Sequence, residues 1–341
     1  MNGYGKRDLL VAGLVVAQSD LAQAGPMSYL HTFGPAGYPV TTLGWGLGII
    51  SVSVCVIITL LLLGAIFRRH KEIIGNVEEH LVVHEDAGGM AWIYIGVGIS
   101  TVVLIGAMIW TLVVTAVIAK PVTPAALTVQ VQASQWWWGL RYDSETSSRT
   151  FTTANEIHIP TGQPVQFVLT STDVIHSFWV PKLGGKKDII PGQANVTWLQ
   201  ADAPGVYRGQ CAVFCGAEHA RMALLVIAQT PRDFRAWQEA QIAATPTPRS
   251  MDAYRGQEVF LAHCAACHAI RGSDAGGLVG PDLTHLMSRY TLAAGVLTNT
   301  PGNLAGWIVH PQAIKPDSRM PDQTLSGPQL HAVVTYLETL Q

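Results

Sequence analysis

Two uncharged apolar runs, Leu43 to Phe67 and Ala91 to Ala119, constrain this chain more than anything else in it. Each exceeds the ~20 residues that a helix needs to cross a bilayer, so both are expected to span one. With 49% hydrophobic residues, 13% charged residues and a mean hydropathy of +0.27, the sequence is too apolar for a wholly soluble protein. Arg68, Arg69 and Lys71 lie between the runs, whereas Gly25 to Thr42 has no Lys or Arg and the far flank offers only Lys120 before Arg141. The positive-inside rule then puts the connection in the cytoplasm and everything from Lys120 onward outside. Upstream, Lys6 and Arg7 precede the apolar stretch Leu9 to Ala17, and Ala22-Gln23-Ala24 has the small-residue pattern of a cleavage site. Residues 1–24 therefore read as an export signal, with a retained tail as the alternative. Cys55, among apolar residues of the first run, reads as a packed or lipid-facing thiol. The net charge of -2 carries no footprint of nucleic-acid binding.

The stretch CAVFCGAEHARM places Cys211, Cys215, His219 and Met222 close together, with His176 upstream in DVIHSFWVP. Thiolate, imidazole and thioether form a copper set, because soft sulfur ligands suit copper. A second thiolate allows the two sulfurs to bridge two copper ions, sharing one unpaired electron and keeping the geometry change on reduction small. Three plainer readings stand beside this one. Cys211 and Cys215 could form a disulfide outside the cytoplasm. They could bind zinc with the histidines, although zinc has no use for Met222. Or the histidines and the methionine are ordinary packing residues.

From about Ala126 to Ala228 the pattern changes to short alternating segments broken by Gly and Pro. LTVQVQASQWWWGLRYD, ANEIHIPTGQPVQFVLTS, NVTWLQ, GVYRGQC and MALLVIAQ read as strands of a β-sandwich, with turns at Thr161-Gly162, Pro191-Gly192 and Pro204-Gly205. The cysteine stretch falls between the last two strands, and His176 on a separate loop. Beyond Pro231, DFRAWQEAQIAA reads as a short helix and TPTPRS as a linker. Cys264-Ala265-Ala266-Cys267-His268 is then the c-type haem attachment signature, in which both thiols add to haem vinyl groups and the histidine ligates iron. A thioredoxin-like CxxC is the alternative, but the histidine and the helical flank MDAYRGQEVFLAH suit haem better. His285, Met287, His310, Met320 and His331 are candidates for the sixth iron ligand.

QWWW, DVIHSFWVP, PKLGGKKDIIPG and the cysteine stretch, in this order after a membrane hairpin, resemble subunit II of the haem-copper oxidases. The resemblance runs from the first span to about Gln241. It implies a cupredoxin-like sandwich holding a binuclear copper A centre through His176, Cys211, the Val213 backbone carbonyl, Cys215, His219 and Met222. Many family members have glutamate where this chain has Val213, and that carboxylate also reaches a magnesium ion; valine cannot supply it. A glutamate common before the second span is matched here by Gly89, with Glu85 the nearest carboxylate. Trp136 inherits the place where a donor's electron enters, although Trp136, Trp137 and Trp138 also suit an interfacial belt or core packing. Asp173 and Asp188 either orient the histidine loop, contact subunit I or cap turns.

GPDLTHL, KPDSRMP and SGPQLHAVVTYLETL resemble class I cytochromes c over about Met251 to Gln341, which implies Met320 as the sixth ligand beside His268. The two resemblances together are similar to the caa-type oxidases. They imply a fold class of membrane two-helix hairpin, all-β cupredoxin-like sandwich and all-α class I cytochrome c domain. The expected divisions are 25–125 for the hairpin, 126–241 for the copper domain, 242–250 for the linker and 251–341 for the cytochrome domain. The implied role is electron transfer from a cytochrome c or similar donor through haem c and copper A to subunit I of a proton-pumping cytochrome c oxidase. The implied partners are subunit I, subunit III and membrane lipid, and the implied place is the outer side of a bacterial plasma membrane. The equivalent subunit of a copper-containing nitric oxide reductase and a membrane-tethered copper assembly protein are the alternatives.

Overall fold

The computed structural model describes residues 25–68 and 89–341. The expected export signal, Arg69, Lys71 and Glu85 lie outside these residues. Pro39–Ala119 forms one compact unit, and the segment through Tyr38 together with Lys120–Gln341 forms another.

The first unit holds α1 (Tyr38–Phe67) and α2 (Gly89–Ile118), each reaching a few residues beyond the N-terminal end of its apolar run. Their mean hydropathies of 2.9 and 2.5 leave no polar face, as expected of helices solvated by lipid rather than water. At ~1.5 Å per residue both are longer than a ~30 Å hydrocarbon core. Thr59, Thr101, Thr111 and Thr115 each donate their hydroxyl to the carbonyl four residues back, so no side-chain donor among them asks for water. A Cβ at Gly46 would lie 2.2 Å from the Trp110 ring, so the two helices approach closely where the side chain is missing.

The second unit contains two hydrophobic cores. The first belongs to a sandwich of ten strands: β1 (Leu127–Ser134), β2 (Trp137–Tyr142), β3 (Phe151–Ala154), β4 (Glu156–Pro160), β5 (Val165–Ser171), β6 (His176–Trp179), β7 (Lys187–Ile189), β8 (Asn195–Leu199), β9 (Gly205–Cys211) and β10 (Ala223–Gln229). One sheet runs β3-β2-β1-β5-β8 and the other β4-β10-β9-β6-β7. The β1/β5 and β4/β10 pairs are parallel. Period-two alternation sends Val129, Val131 and Ala133 of β1 into the core, which they share with Trp138 and Phe167 of the neighbouring strands in the same sheet and Phe178 of the other sheet.

One sequence segment expected as a single strand is a pair of strands, and a second divides at the turn expected within it. The tryptophan-rich segment breaks at Gln135-Trp136 into β1 and β2, and the next breaks at Thr161-Gly162 into β4 and β5. Gly162 and Gly192 turn with φ of 72° and 79°, where glycine is favoured. Gly205 opens β9 rather than closing a turn. His176 begins a strand, β6, rather than lying on a loop.

Helix α3 (Pro231–Ile242) starts with Pro231 after Thr230, whose side chain accepts from the Asp233 amide. It lays Phe234 and Trp237 on the sandwich core. After an irregular stretch the second core is built by α4 (Met251–His263), α5 (Pro301–Val309), α6 (Pro311–Ile314) and α7 (Gly327–Leu337), with a small ribbon of β11 (Thr291–Leu292) and β12 (Leu297–Thr298). Ser250, Thr300 and Ser326 cap their helices, the last in a full capping box with Gln329. Helices α4 and α7 cross at Gly256, where a Cβ would lie 2.0 Å from the Ala332 carbonyl oxygen. Phe260 and Tyr336 meet edge-on beside that crossing, with ring centroids 5.8 Å apart.

Candidate metal and haem sites

Strands β9 and β10 are antiparallel neighbours, and the twelve-residue stretch from Cys211 to Met222 closes the gap between them. Cys211 ends β9, and Met222 directly precedes β10, with the Cys211 amide donating to the Met222 carbonyl. The loop between them folds back so that its side chains converge. The ligand atoms of His176, Cys211 and Cys215 all lie within 4.8 Å of one another. The two sulfurs are 3.7 Å apart, and the Cys215 sulfur is 3.6 Å from His219 Nδ1 and 3.9 Å from Met222 Sδ. The Val213 carbonyl oxygen lies 3.2 Å from the Cys211 sulfur. His176 and Met222 are fully buried and the cysteines nearly so. The thiols are free, which removes the disulfide reading in this structure.

The histidine is aimed from behind. Its Nε2 donates to Asp173 Oδ1 at 2.8 Å, which leaves Nδ1 turned toward Cys211 at 3.9 Å. Asp173 is held in turn by the amides of Gln135 and Val174. Against the cost of burial, these bonds keep its carboxyl below the usual range. Asp188 accepts from the Ser177 hydroxyl at 2.7 Å and braces β6 one residue past the histidine. The hydrogen bond between the thiols pulls Cys211 far below the ordinary thiol range and pushes Cys215 up, so the pair gives up its first proton readily. On the other side of the loop the Cys215 carbonyl accepts from Gln135 Nε2 at 2.8 Å and Trp136 Nε1 at 3.0 Å.

A cavity lies under the CxxCH segment. Cys264, Cys267, His268 and Met320 line it. His268 Nδ1 donates to the Pro281 carbonyl at 2.8 Å, which fixes the ring and leaves Nε2 as the lone-pair nitrogen. A Cβ at Gly280 would lie 2.6 Å from this ring and one at Gly277 2.4 Å from the Cys267 backbone, so both glycines are required for the fit. Burial lowers the pKa of His268 and raises that of Cys264 to about 11. Of the five candidate sixth ligands, Met320 alone is among the lining residues. Its loop is pinned by Gln312, whose Nε2 donates to the carbonyls of Ser318 and Met320. His310 and His331 are exposed, Met287 packs on the helical core, and His285 Nδ1 binds the Gln341 carbonyl.

Sequence reasoning missed that the sandwich supplies part of this cavity. Gln135, Trp136, Trp137 and Asn155 line it from the opposite side. Trp136 is only 6% exposed, so it faces this chamber and not solvent. Trp138 packs edge-on against His176 and Phe178 in the core. Trp136 and Trp137 thus line the cavity and Trp138 fills the core.

Residues 143–229 match the family described as cytochrome c oxidase subunit II, periplasmic domain, and residues 253–341 match cytochrome c. Cytochrome c oxidase subunit 2 of Alkalihalophilus pseudofirmus is 39% identical over 215 residues, which is 62% of this chain and 61% of that relative. The protein of the same name from Bacillus sp. (strain PS3) is 34% identical over 226 residues, 62% of either chain. That from Cereibacter sphaeroides is 27% identical over 273 residues, 67% of this chain and 88% of its own. The chain thus spans about three fifths of the length of the first two relatives. A subunit II domain implies a binuclear copper A centre and a cytochrome c domain a covalent haem c. The residues present fit both: a buried cluster of two thiols and an imidazole for one, and a cavity with paired thiols and an oriented imidazole for the other. Residues 143–229 thus resemble the periplasmic domain of cytochrome c oxidase subunit II, and residues 253–341, in the same chain, resemble cytochrome c.

Proposed function

We propose that this chain is the electron-accepting subunit of a proton-pumping cytochrome c oxidase. With haem c and copper A bound, electrons from a cytochrome c or similar donor would pass through the haem and copper sites of this chain to subunit I, where oxygen would be reduced to water. His176, Cys211, the Val213 carbonyl, Cys215, His219 and Met222 would hold the copper ions; Cys264, Cys267, His268 and Met320 would hold the haem. When bound, the two centres supply one-electron chemistry with little change in shape.

The residues around them do the rest. Asp173 orients the His176 imidazole, and Pro281 orients that of His268, so neither ring has to turn when charge arrives. Burial of His176, Cys211, Cys215 and Met222 excludes water from the sulfur cluster and keeps its surroundings of low polarity. The observation that carries this reading is the position of Trp136: its indole donates to the Cys215 carbonyl while its ring lines the haem cavity. One side chain thereby separates the two sites, and its role becomes passage between them within the chain. The membrane helices anchor the assembly beside subunit I and subunit III, with the copper and haem domains on the outer side of a bacterial plasma membrane.

Metal and haem content with low-temperature electron paramagnetic resonance on the detergent-solubilised full chain tests the proposal. The expected result is two coppers and one covalent haem per chain with a seven-line mixed-valence copper signal. A single copper with a four-line signal, or cysteines that take no copper after reduction, would overturn it. Co-purification with a large multi-span haem protein is the expected sign of the oxidase partner.

A further inference from the structure

Lys315 is 2% exposed and comes from the loop that leads to Met320, yet its ammonium sits against the sandwich. Its Nζ donates to the carbonyls of Trp136 at 2.7 Å, Arg221 at 2.9 Å and Ala293 at 3.1 Å. The first two acceptors belong to the sandwich and the third to the cytochrome domain. Burial pulls its pKa down to about 8, so the charged form still meets the three carbonyls at neutral pH. Glu156 does the converse. This sandwich residue is also 2% exposed, and its carboxylate accepts from the Tyr290 amide, the Thr291 amide and the Thr291 hydroxyl of the cytochrome domain at 2.8–3.0 Å.

The turn between these two plugs is tightly formed. Ala293, Ala294 and Gly295 have φ of 53°, 60° and 80°, an arrangement unusual for two alanines. It presents the Ala293 carbonyl to Lys315 and the Ala294 carbonyl to the Ala223 amide, the first residue of β10. A Cβ on Gly295 would lie 2.9 Å from the Ala223 side chain, so the backbones are in close contact there. Arg221 Nη1 binds the Ile314 carbonyl at 2.8 Å, and Arg319 approaches Asp173, the partner of His176, at 3.6 Å.

We propose that Lys315 and Glu156 are reciprocal plugs that lock the cytochrome domain onto the sandwich in one register, making them positioning residues for transfer between the two sites. A buried charge without its partners is costly, so each plug penalises every docking arrangement except the one that satisfies it. Exposed charges at a rim would tolerate many arrangements; these two do not. The linker tethers the domains, and the plugs fix their separation.

This inference rests on the proposed function only in placing haem in the cavity. The test uses the full chain, solubilised with its membrane helices and matured with haem and copper, carrying a protease site in the 243–250 stretch and an affinity tag inserted directly after residue 24. After cleavage, haem that stays on the tagged part measures docking. The parent is expected to retain nearly all its haem, and Lys315→Met and Glu156→Gln to raise dissociation at least tenfold. In the uncut proteins, dipolar relaxation between the haem and copper spins should report one separation in the parent and a spread in the variants. Unchanged copper content and methionine-iron absorption show that a variant is folded. If Lys315→Met does not accumulate, Glu156→Gln alone carries the test. Retention and spin separation equal to the parent in the folded variants would overturn the latch. Absence of covalent haem from the parent would instead overturn the reading of the site.

Discussion

At the scale of single residues, the copper site is set by what surrounds its ligands as much as by the ligands. Met222 is fully buried, so replacing it with leucine keeps the volume and should cost less than about 1.5 kcal/mol of stability. The thioether is lost all the same, and Met222→Leu should change the copper resonance while leaving the unfolding midpoint almost unmoved. Away from the metal, His158 stacks on Trp237 with ring centroids 4.0 Å apart and bonds Gln229 through Nδ1. Burial lowers its pKa from 6.5 to about 4. Between these values the unfolded chain binds more protons than the folded one, so the contribution is complete above pH 6.5 and is lost as pH falls toward 4. The loss should approach about 3 kcal/mol. His158→Phe keeps the stack and removes the titration, so stability measured by denaturation should fall less steeply for the variant than for the parent as pH drops from 6.5 to 4.

At the scale of elements, what could be read from the sequence was what has a period or a fixed spacing. The two membrane runs, the CxxCH helix and the strands around the cysteine loop came through because polarity alternates or persists along each. The break at Gln135-Trp136 did not, since the apolar pattern continues through it and only the folded sheet reverses direction there, whereas Thr161-Gly162 was legible as a turn through its glycine. Short strands such as β6 and β7 are equally silent, being too brief to show alternation. The crossing of α4 and α7 is another feature that sequence hides, because Gly256 in a helix reads merely as a weak former. Gly256→Ala should force the Cβ into the Ala332 carbonyl, 2.0 Å away, and cost at least about 1–3 kcal/mol. A fall in covalent haem per chain, together with a lower melting temperature of the cytochrome domain, would register that cost.

At the scale of the whole molecule, the sequence suggested two domains on a tether, and the structure docks them into one unit. Nothing in KPDSRMP distinguishes Lys315 from a surface lysine, because its partners are backbone carbonyls that carry no sequence signature. Glu156 is hidden for the same reason, its partners being mostly amides. An interface built on buried charges should resist screening. Raising ionic strength shortens the Debye length from ~10 Å at 0.1 M to ~3 Å at 1 M, which weakens exposed pairs and leaves desolvated ones nearly untouched. Haem retention after linker cleavage should therefore be the same at both salt concentrations, and a steep loss at high salt would point instead to rim pairs such as Arg319 with Asp173.

The parallel pairing of β4 with β10 also dictates when this protein can come into being. Strand β4 has β10 as its sole neighbour in the sheet, and that neighbour is made more than sixty residues later. That sheet must therefore wait, with β4 unpaired, until the chain through Gln229 has been synthesised. Contacts so distant along the chain are slow to form. The cysteine loop, directly ahead of β10, is consequently among the last parts to take shape, so copper loading belongs to the end of biogenesis and a ribosome stalled before β10 leaves no half-built centre to fill.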